Sequence, residues 1–425
     1  MVALTFGSFL LILVIGCPIG IALLLGGAIP LITGTSIPLV VITQRLFSSV
    51  NSYSIMQLIF YIMAGNIMAT GGVSKRLVDL AKSLVGWLPG GLAVVAFFAC
   101  ALFGAISGSS PATVAAIGSI MIPAMKEEGY PLPFILATIA SGGWLGIIVP
   151  PSIPMVIYGI SAGGVSISEL FMGGFIPGFL LAAGMSVYAV YYGEKNKLQT
   201  TPFSLHRLRI AFVKSLWALG MPIIILGGIY AGIFTPTEAA AISVVYGLFV
   251  GTVVYKQINI KSLIRILRDS IIITNITMFI VATATIFGYV MTREQIPATV
   301  GNFILSIADN KFTFMLLVTL LLFFVGTFME TIPAIMILAP ILTPMLAQYN
   351  INPIAFGVIM VINLGIGMIT PPVGINLFTA VGLVGEKVEI VINKHLLIYM
   401  LFACIVMILL MVFDDIILYL PNVLS

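Results

Sequence analysis

Apolar stretches recur along the whole of this 425-residue chain. A helix needs roughly 20 apolar residues to cross the hydrocarbon layer of a bilayer, and many of the stretches reach that length. The stretches are continuous rather than alternating, which favours helices over a β-barrel, because a membrane span must satisfy its backbone polar groups internally. We therefore expect an all-α polytopic membrane protein.

The composition agrees with this interpretation. Charged residues make up 8% of the chain, hydrophobic residues 60%, and the mean hydropathy is +1.22, whereas an ordinary soluble domain has roughly 25% charged residues. The net charge of +4 comes from basic residues beside apolar segments, which predicts a lipid bilayer and no nucleic acid as partner. The first apolar segment lacks a basic start and a cleavage site, so we expect it to stay in the membrane.

The chain contains an internal repeat. Residues 104–111, GAISGSSP, correspond to residues 326–333, GTFMETIP, with Gly and Pro in the same places. The double proline Pro150-Pro151 corresponds to Pro371-Pro372, at nearly the same distance from the first motif. A repeat of this kind predicts that the two halves share one helical plan.

That plan gives the predicted elements of each half. The first repeat, 1–193, has helices near 3–16, 18–34, 38–49, 53–70 and 73–86, a re-entrant helical hairpin at 88–128, a Pro-broken helix at 133–162 and a closing helix at 169–193. A cytoplasmic linker follows at 194–214. The second repeat, 215–425, has helices near 215–234, 236–255, 258–268 and 270–291, a short polar stretch, a hairpin at 313–349, a broken helix at 353–384 and a closing helix at 395–418.

The hairpin interpretation decides the topology. If both arms of a hairpin return to the same side, each half crosses the membrane an odd number of times and the second half is inverted. Lys and Arg accumulate in short cytoplasmic loops, and this arrangement puts all but three of the 18 basic residues on one face. We therefore predict inverted repeats with both termini periplasmic. The three exceptions are Arg45, Arg293 and Lys311.

The hairpin tips carry polar residues within apolar sequence. Gly and Pro interrupt the helix in GAISGSSPAT, residues 104–113, and the freed carbonyls and hydroxyls can wrap a dehydrated Na⁺. Packing by small residues is the alternative. The counterpart holds Glu330 and Thr331; Glu330 could bind a cation, carry a proton or cap the helix that follows.

The broken helices are the second pair of motifs. An unwound segment offers carbonyl oxygens from its leading half-helix and N–H groups from its trailing one, so cations and carboxylates can be bound side by side. An ordinary proline kink is the alternative. A further motif, Thr235 to Ala240, begins a helix, and we favour a capping role for its Glu238.

No enzyme constellation is present in the sequence. His206 lies in the linker and His395 at a helix start, both beside basic residues, so neither can serve a Ser/His dyad or a metal cluster at the polar motifs. Phosphate-loop and dinucleotide signatures are absent from the sequence, which excludes built-in ATP hydrolysis. Transport must then be driven by an ion gradient or by a partner, and we expect no enzymatic activity.

Four separated runs resemble a known family when they are taken in order. GAISGSSPATVAAIG, PPSIPMVIYG, GIYAGIFTPTEAAA and ITPPVGINLF are similar to the large membrane subunit of the tripartite ATP-independent periplasmic (TRAP) transporters. The resemblance implies an elevator-type ion-transporter-superfamily architecture in a bacterial inner membrane. It also implies Na⁺-coupled, secondary-active import of an organic acid, of the sialic acid or C4-dicarboxylate type.

The resemblance implies partners and site residues as well. The partners are a small four-helix membrane subunit and a periplasmic substrate-binding protein. Two or more co-transported Na⁺ ions are implied, with ligands at Ser107, Ser109, Ser110, Gly142 and Gly143 for one ion and at Gly326, Thr327, Thr370 and Pro371 for another. To the substrate we assign Thr113, Pro150, Ser152, Glu330, Thr331, Asn363 and Asn376.

Three alternative functions would each require a different feature. A stand-alone Na⁺/dicarboxylate symporter of related fold is the nearest alternative, and uptake without a binding protein would identify it. An ion channel would need a continuous polar pore, yet the polar residues cluster at two tips and two breaks. An intramembrane hydrolase would need a base beside Ser107 or Ser109, and the sequence offers none.

Overall fold

The computed structural model describes residues 2–34, 37–198, 200, 202–305 and 307–424. Within these ranges every regular element is a helix and no strand occurs, as the continuous apolar stretches predicted. Residues 199 and 201 of the predicted linker lie outside the described residues.

The first half begins with five helices and continues with a hairpin, a broken helix and a closing helix. Its helices are α1 (Val2–Val14), α2 (Ile19–Gly34), α3 (Val40–Val50), α4 (Tyr53–Thr70), α5 (Val73–Val85), α6 (Gly91–Ser107), α7 (Ser110–Glu127), α8 (Leu132–Gly143), α9 (Ile153–Ser161) and α10 (Ile167–Lys195). One 3₁₀ turn, Trp144–Ile147, extends α8. The predicted hairpin is therefore α6 and α7, and the predicted broken helix is α8 and α9.

The second half has the same order of hairpin and broken helix. Its helices are α11 (Leu205–Tyr230), α12 (Pro236–Phe249, continued by a π-helical turn to Val254), α13 (Ile260–Arg293), α14 (Ile296–Leu305), α15 (Lys311–Phe328), α16 (Thr331–Leu342), α17 (Pro353–Gly367), α18 (Ile375–Gly382), α19 (Lys394–Val412) and α20 (Asp415–Leu424). Here α15 and α16 form the hairpin, while α17 and α18 form the broken helix.

The length and composition of the helices fit a membrane. Among the described residues, seven helices are long and apolar enough to cross one, or eight if α3 and α4, bent by 52°, make a single span. They are α10, α11, Pro236–Val254, α13, α15, Thr331–Tyr349 and α19.

Four boundaries differ from the prediction, and the first two differences have a local reason. Helix α11 starts at Leu205 instead of 215, because the Ser204 hydroxyl caps it by accepting from the Arg207 N–H. Helix α13 is one helix where two were predicted, since no Gly or Pro interrupts it between 268 and 270. The polar stretch after it forms α14, and the closing helix ends at Val412 with α20 beyond it.

Asparagine side chains fix the start of several helices in the second half. Asn310 Oδ1 accepts from the Thr313 N–H at 2.9 Å, and Asn352 Oδ1 accepts from the Ile354 N–H at 2.8 Å. Asn393 caps α19 in the same way, with 2.8 Å to the His395 N–H. Because these side chains satisfy N–H groups that have no partner within the helix, they define where α15, α17 and α19 begin.

The two halves interlock around their hairpins. Helix α16, from the second hairpin, packs on α9, which is the trailing part of the first broken helix. Helix α18, the trailing part of the second broken helix, packs in turn on α7 and α8. Each hairpin thus packs against the broken helix of the other half, and the two tips come close to each other.

Candidate functional site

Two small cavities lie where the hairpin tips meet. The tip cavity, about 30 Å³, is lined by Ser109 and Ser110 from the first tip and by Glu330 and Thr331 from the second, together with Met368. The side cavity, about 90 Å³, shares Ser109 and Glu330 with it and is also lined by residues of α4 and α13. Residues more than 200 positions apart in sequence therefore share one site.

A glycine in the left-handed region forms the first tip. Gly108 has φ of 60°, and a Cβ there would lie 2.9 Å from the Pro151 carbonyl oxygen. The Gly108 carbonyl accepts from the Ile153 N–H at 3.4 Å. Only glycine allows both this backbone conformation and this close approach, so the tip of the first hairpin is joined directly to the first break.

Behind this tip, hydroxyl and carbonyl oxygens lie close together. Ser107 Oγ and Thr113 Oγ1 are 3.0 Å apart. Thr113 Oγ1 donates to the Ser109 carbonyl at 2.8 Å, and Ser107 Oγ is 3.4 Å from the same oxygen. Uncharged oxygens grouped in this way are the ligand type that a hard cation such as Na⁺ prefers.

A buried hydrogen bond links the first tip to the second break. Ser110 Oγ donates to Asn376 Oδ1 at 2.9 Å, and Asn376 Nδ2 donates to the Ala140 carbonyl at 3.2 Å. Ser110 and Asn376 are fully buried. The Asn376 amide is therefore held by α7 and α8 of the first half.

The second tip has a different polar arrangement. Thr331 Oγ1 contacts Met368 Sδ at 3.3 Å. The Thr327 hydroxyl donates to the Phe324 carbonyl at 2.7 Å, and the Thr370 hydroxyl donates to the Ile366 carbonyl at 2.8 Å. Thr327 lies in α15, while Thr370 lies in the break just after α17, which packs on α15.

Glu330 occupies the N-cap position of α16, but its side chain makes no capping hydrogen bond. Among the residues that the structure describes, no donor or cation lies within bonding distance of its carboxylate, which lines both cavities. The geometry therefore does not support capping for Glu330.

Glu238, at the start of α12, does take part in a cap. Glu238 Oε2 accepts from the Thr235 N–H at 2.8 Å, and the Thr235 hydroxyl accepts from the Glu238 N–H at 3.3 Å, as the motif predicted.

Glycine pairs hold each hairpin against the broken helix of its own half. A Cβ on Gly104 would lie 2.6 Å from Gly146 Cα. A Cβ on Gly367 would lie 2.5 Å from the carbonyl carbon of Gly326. The two pairs occupy equivalent positions in the repeat, so the same close backbone contact is made twice.

The predicted Na⁺ ligands fall into two groups around these contacts. Gly142 and Gly143, at the end of α8, face α6 and α7, where a Cβ would meet Cys100 Sγ at 3.1 Å or the Val114 side chain. Gly326 and Thr327 lie near the end of α15, where Gly326 packs on Gly367, and Thr370 and Pro371 follow Gly367 in the second break. Both groups offer only hydroxyl and carbonyl oxygens, and no cluster of three His, Cys, Asp or Glu occurs among the described residues. The donors present fit Na⁺ by their chemistry.

Of the seven residues assigned to substrate, Glu330 and Thr331 line the cavities. Thr113, Pro150, Ser152 and Asn376 are buried and line neither cavity. Ser152 caps α9 by accepting from the Met155 N–H at 3.3 Å. Asn363 is buried between α17 and α15, where its amide donates to Thr319 Oγ1 at 3.1 Å. It lines neither cavity.

Two polar residues of the side cavity were not predicted from the sequence. Asn66 of α4 lines it and donates to Ser270 Oγ at 2.9 Å; Thr277 of α13 also lines it. Gly65 lies against the first tip, since a Cβ there would be 3.1 Å from Ser107 Cα. A lone Asn beside a Gly inside an apolar helix is a signal that could have singled out Asn66.

Comparison with known families identifies the family of the chain. Residues 6–416 match the model of the family described as the tripartite ATP-independent periplasmic transporter, DctM component. The chain belongs to this family. The resemblance seen in the four sequence runs is thereby confirmed: the protein is a TRAP transporter large permease subunit, and with its many apolar helices it is a multi-span membrane protein.

Curated relatives cover most of the chain. The C4-dicarboxylate TRAP transporter large permease protein DctM of Rhodobacter capsulatus is 38% identical over 89% of each chain. The sialic acid TRAP transporter large permease protein SiaM of Vibrio cholerae is 35% identical over 99% of this chain and 98% of that protein. The isethionate TRAP transporter permease protein DctMQ of Oleidesulfovibrio alaskensis is 43% identical over 90% of this chain, which spans 61% of that relative's length.

A solved structure shares the fold. The YdaH transporter of Alcanivorax borkumensis, whose crystal structure was described as having an unusual topology, aligns with a TM-score of 0.67 over 96% of this chain and 99% of that one. The sequences are 15% identical, so the likeness concerns the architecture of the TRAP large permease subunit and not its substrate.

Proposed function

We propose that this TRAP large permease subunit carries an organic acid across a bacterial inner membrane, driven by the Na⁺ gradient. The observation that carries the proposal is the meeting of both hairpin tips, Ser109-Ser110 and Glu330-Thr331, at one shared cavity. A site built from two halves in this way can open to either side if the halves are inverted. The protein is then a transporter and not an enzyme.

Two features support the inverted repeat. The glycine pairs Gly104/Gly146 and Gly326/Gly367 make equivalent contacts in the two halves. The uneven distribution of Lys and Arg favours one cytoplasmic face, with both termini periplasmic. In this topology both hairpins are re-entrant, the first opening from the cytoplasm and the second from outside.

Conformational change is part of the proposal. Pockets that hold small molecules usually measure about 300–1,000 Å³, and the tip and side cavities, about 30 and 90 Å³, are far smaller. The tips must therefore separate before an organic acid can enter. We propose an elevator mechanism, in which hairpins and broken helices move as one body against a scaffold that includes α4 and α13.

The substrate class follows from the relatives. Their names specify C4-dicarboxylates, sialic acid and isethionate, all of which are acids. Neither cavity is lined by Lys or Arg in the described part of the chain. We propose that the N-terminus of α9 and the hydroxyls of Ser109 and Thr331 hold the acidic group, since helix N-termini favour anions.

Na⁺ ions would be held behind each tip. The proposed ligands are the residues that the resemblance implied, with Ser107, Ser109 and Ser110 behind the first tip and Thr327 and Thr370 behind the second. Bound Na⁺ would supply positive charge next to an uncharged oxygen cluster. That charge would stabilise an acidic substrate at a site that lacks basic side chains.

The partners proposed for this subunit are a small four-helix membrane subunit and a periplasmic substrate-binding protein. The test is uptake of radiolabelled succinate and sialic acid by proteoliposomes that hold the reconstituted complex. We expect uptake only with both an inward Na⁺ gradient and the loaded binding protein. Uptake by this chain alone would instead identify a stand-alone Na⁺/dicarboxylate symporter, and uptake without Na⁺ would contradict the coupling.

A further inference from the structure

A third cavity lies away from the hairpin tips, between the end of α5, the segment before α11 and the first turns of α11. Its volume is about 250 Å³, and it shares no lining residue with the tip or side cavity. We call it the basic pocket. It is lined by Asp79, Lys82, Ser83, Trp87, Pro202, Phe203, Ser204, Arg207, Ile210, Ala211 and Lys214.

The charge of the basic pocket is positive. Three cations and one carboxylate line it. The Lys82 ammonium is 3.2 Å from Glu128 Oε1, so its charge is already offset. Arg207 and Lys214 are exposed and form no ion pair among the described residues, although Arg207 donates to the Pro202 carbonyl at 2.9 Å. These two cations outnumber the Asp79 carboxylate, so the pocket keeps an excess of positive charge.

The pocket also has an apolar side. Trp87 and Phe203 are 50% and 54% exposed, and Ile210 is 41% exposed. The Trp87 indole N–H donates to the Leu84 carbonyl at 2.9 Å, which fixes the orientation of the ring. Exposed Trp residues are typical of the level at which a membrane meets water.

The position of the pocket agrees with that level. It lies at the N-terminal end of α11, a 26-residue helix long and apolar enough to span the membrane. The segment before α11 is polar, as expected of the water side, and α11 is apolar, as expected of a helix that enters the lipid. The pocket thus offers cations and apolar surface together, where the headgroups of the lipids are expected.

From this we propose that the basic pocket binds the phosphate headgroup of one anionic phospholipid, with Arg207 and Lys214 at the phosphate and Trp87 and Phe203 along the first part of the acyl chains. Basic pockets between membrane helices are a known way to recognise anionic headgroups. A free phosphate ion would need the cations but not the exposed aromatic wall, and this favours a lipid.

The test is native mass spectrometry of the full chain in mild detergent, titrated separately with phosphatidylglycerol, phosphatidylcholine and inorganic phosphate. We expect one phosphatidylglycerol to bind tightly, with phosphatidylcholine unable to displace it at tenfold excess. Each cation near a membrane surface contributes enough binding energy that the double variant R207Q/K214Q should weaken phosphatidylglycerol binding by about 30-fold.

The matched control is R209Q/K261Q, which removes one exposed Arg and one exposed Lys that do not line the pocket. It should leave the affinity nearly unchanged. Ala211→Phe provides a second variant that fills the pocket and retains every charge, and it should also prevent binding.

Three results would overturn the proposal. If phosphatidylcholine binds as tightly as phosphatidylglycerol, the charge of the headgroup plays no part in binding. Equal weakening of phosphatidylglycerol binding by R209Q/K261Q would show that the lipid responds to the net charge of the protein and not to this pocket. Displacement of the lipid by inorganic phosphate at a similar concentration would show a site for free anions instead.

Discussion

Ser110 Oγ donates a hydrogen bond of 2.9 Å to Asn376 Oδ1, across 266 positions of sequence. The bond joins the first turn of α7 to the first turn of α18, and the same Asn376 amide donates to the Ala140 carbonyl at 3.2 Å. One side chain from the second half therefore satisfies two buried groups of the first. A movement of one hairpin tip must carry the other half's broken helix with it, as long as this bond persists.

Breaking this link should destabilise the protein. Asn376→Ala leaves the Ser110 hydroxyl and the Ala140 carbonyl without their partner, and an unsatisfied buried polar group costs about 1–3 kcal/mol. We expect N376A to lower the thermal midpoint of the purified complex and to reduce uptake. In the N376A background, Ser110→Ala should add little, because its partner is already gone.

The control for that cycle is Ser119→Ala on the same helix. Ser119 is exposed and donates only to the nearby Ala116 carbonyl, so its loss should leave the midpoint unchanged. Fully additive effects of S110A and N376A would mean that the two residues act independently.

The proposed Na⁺ sites can be tested through the two tips together. Ser109→Ala combined with Thr370→Ala removes one hydroxyl from each proposed site. We expect the Na⁺ concentration for half-maximal uptake to rise by roughly tenfold, about the effect of 1.4 kcal/mol of lost binding energy, while the complex still assembles. Na⁺-dependent uptake in proteoliposomes is the measurement.

Thr379→Ala is the matched control for S109A/T370A. Thr379 donates only to the Ile375 carbonyl within its own helix and lines neither cavity, so Thr379→Ala should retain the wild-type Na⁺ dependence. If S109A/T370A also retains it, the ligand assignment is wrong.

Much of the fold could be predicted from sequence because its signals are local. The hairpin predicted at 88–128 is α6 and α7, and the break predicted at Pro150-Pro151 separates α8 from α9. Two adjacent prolines remove two backbone N–H donors and fix two φ angles, so this break can be predicted without the tertiary structure.

The pairing of the motifs could not be predicted in that way. The contact of Ser110 with Asn376 depends on how α7 packs on α18, and the contribution of Asn66 and Thr277 depends on how α4 and α13 lie against the tips. Asn363 has the same polar character as Asn376, yet it faces Thr319. Sequence spacing gives the face of a helix but not the helix that covers it.

The glycine contacts predict a steric effect. A Cβ at Gly367 would be 2.5 Å from a backbone atom of Gly326, which cannot move aside as a side-chain end can. We expect Gly367→Ala to separate α15 from α17 and to lower the yield of monodisperse complex in size-exclusion chromatography. Gly288→Ala, where a Cβ would meet nothing within 4 Å, should behave like the wild type. A normal yield of active G367A would show that the close contact is dispensable.

The two glutamates at helix starts predict opposite results when each is changed to Gln. Glu238 accepts hydrogen bonds from the Thr235 N–H and hydroxyl, both at 2.8 Å. Gln can still accept from the Thr235 N–H but brings no negative charge to the helix N-terminus, so E238Q should lower the thermal midpoint slightly and leave uptake per folded complex unchanged.

Glu330 has no such partner in the described part of the chain and lines both cavities, so E330Q should retain the midpoint and lose most of its uptake. Carboxylates within a membrane segment are costly and are retained where they serve function, which is the reason to expect a loss of transport alone. Thermal unfolding of the complex and uptake are measured on the same preparations. A lower midpoint with normal uptake in E330Q would mean that Glu330 stabilises the second tip and takes no part in transport.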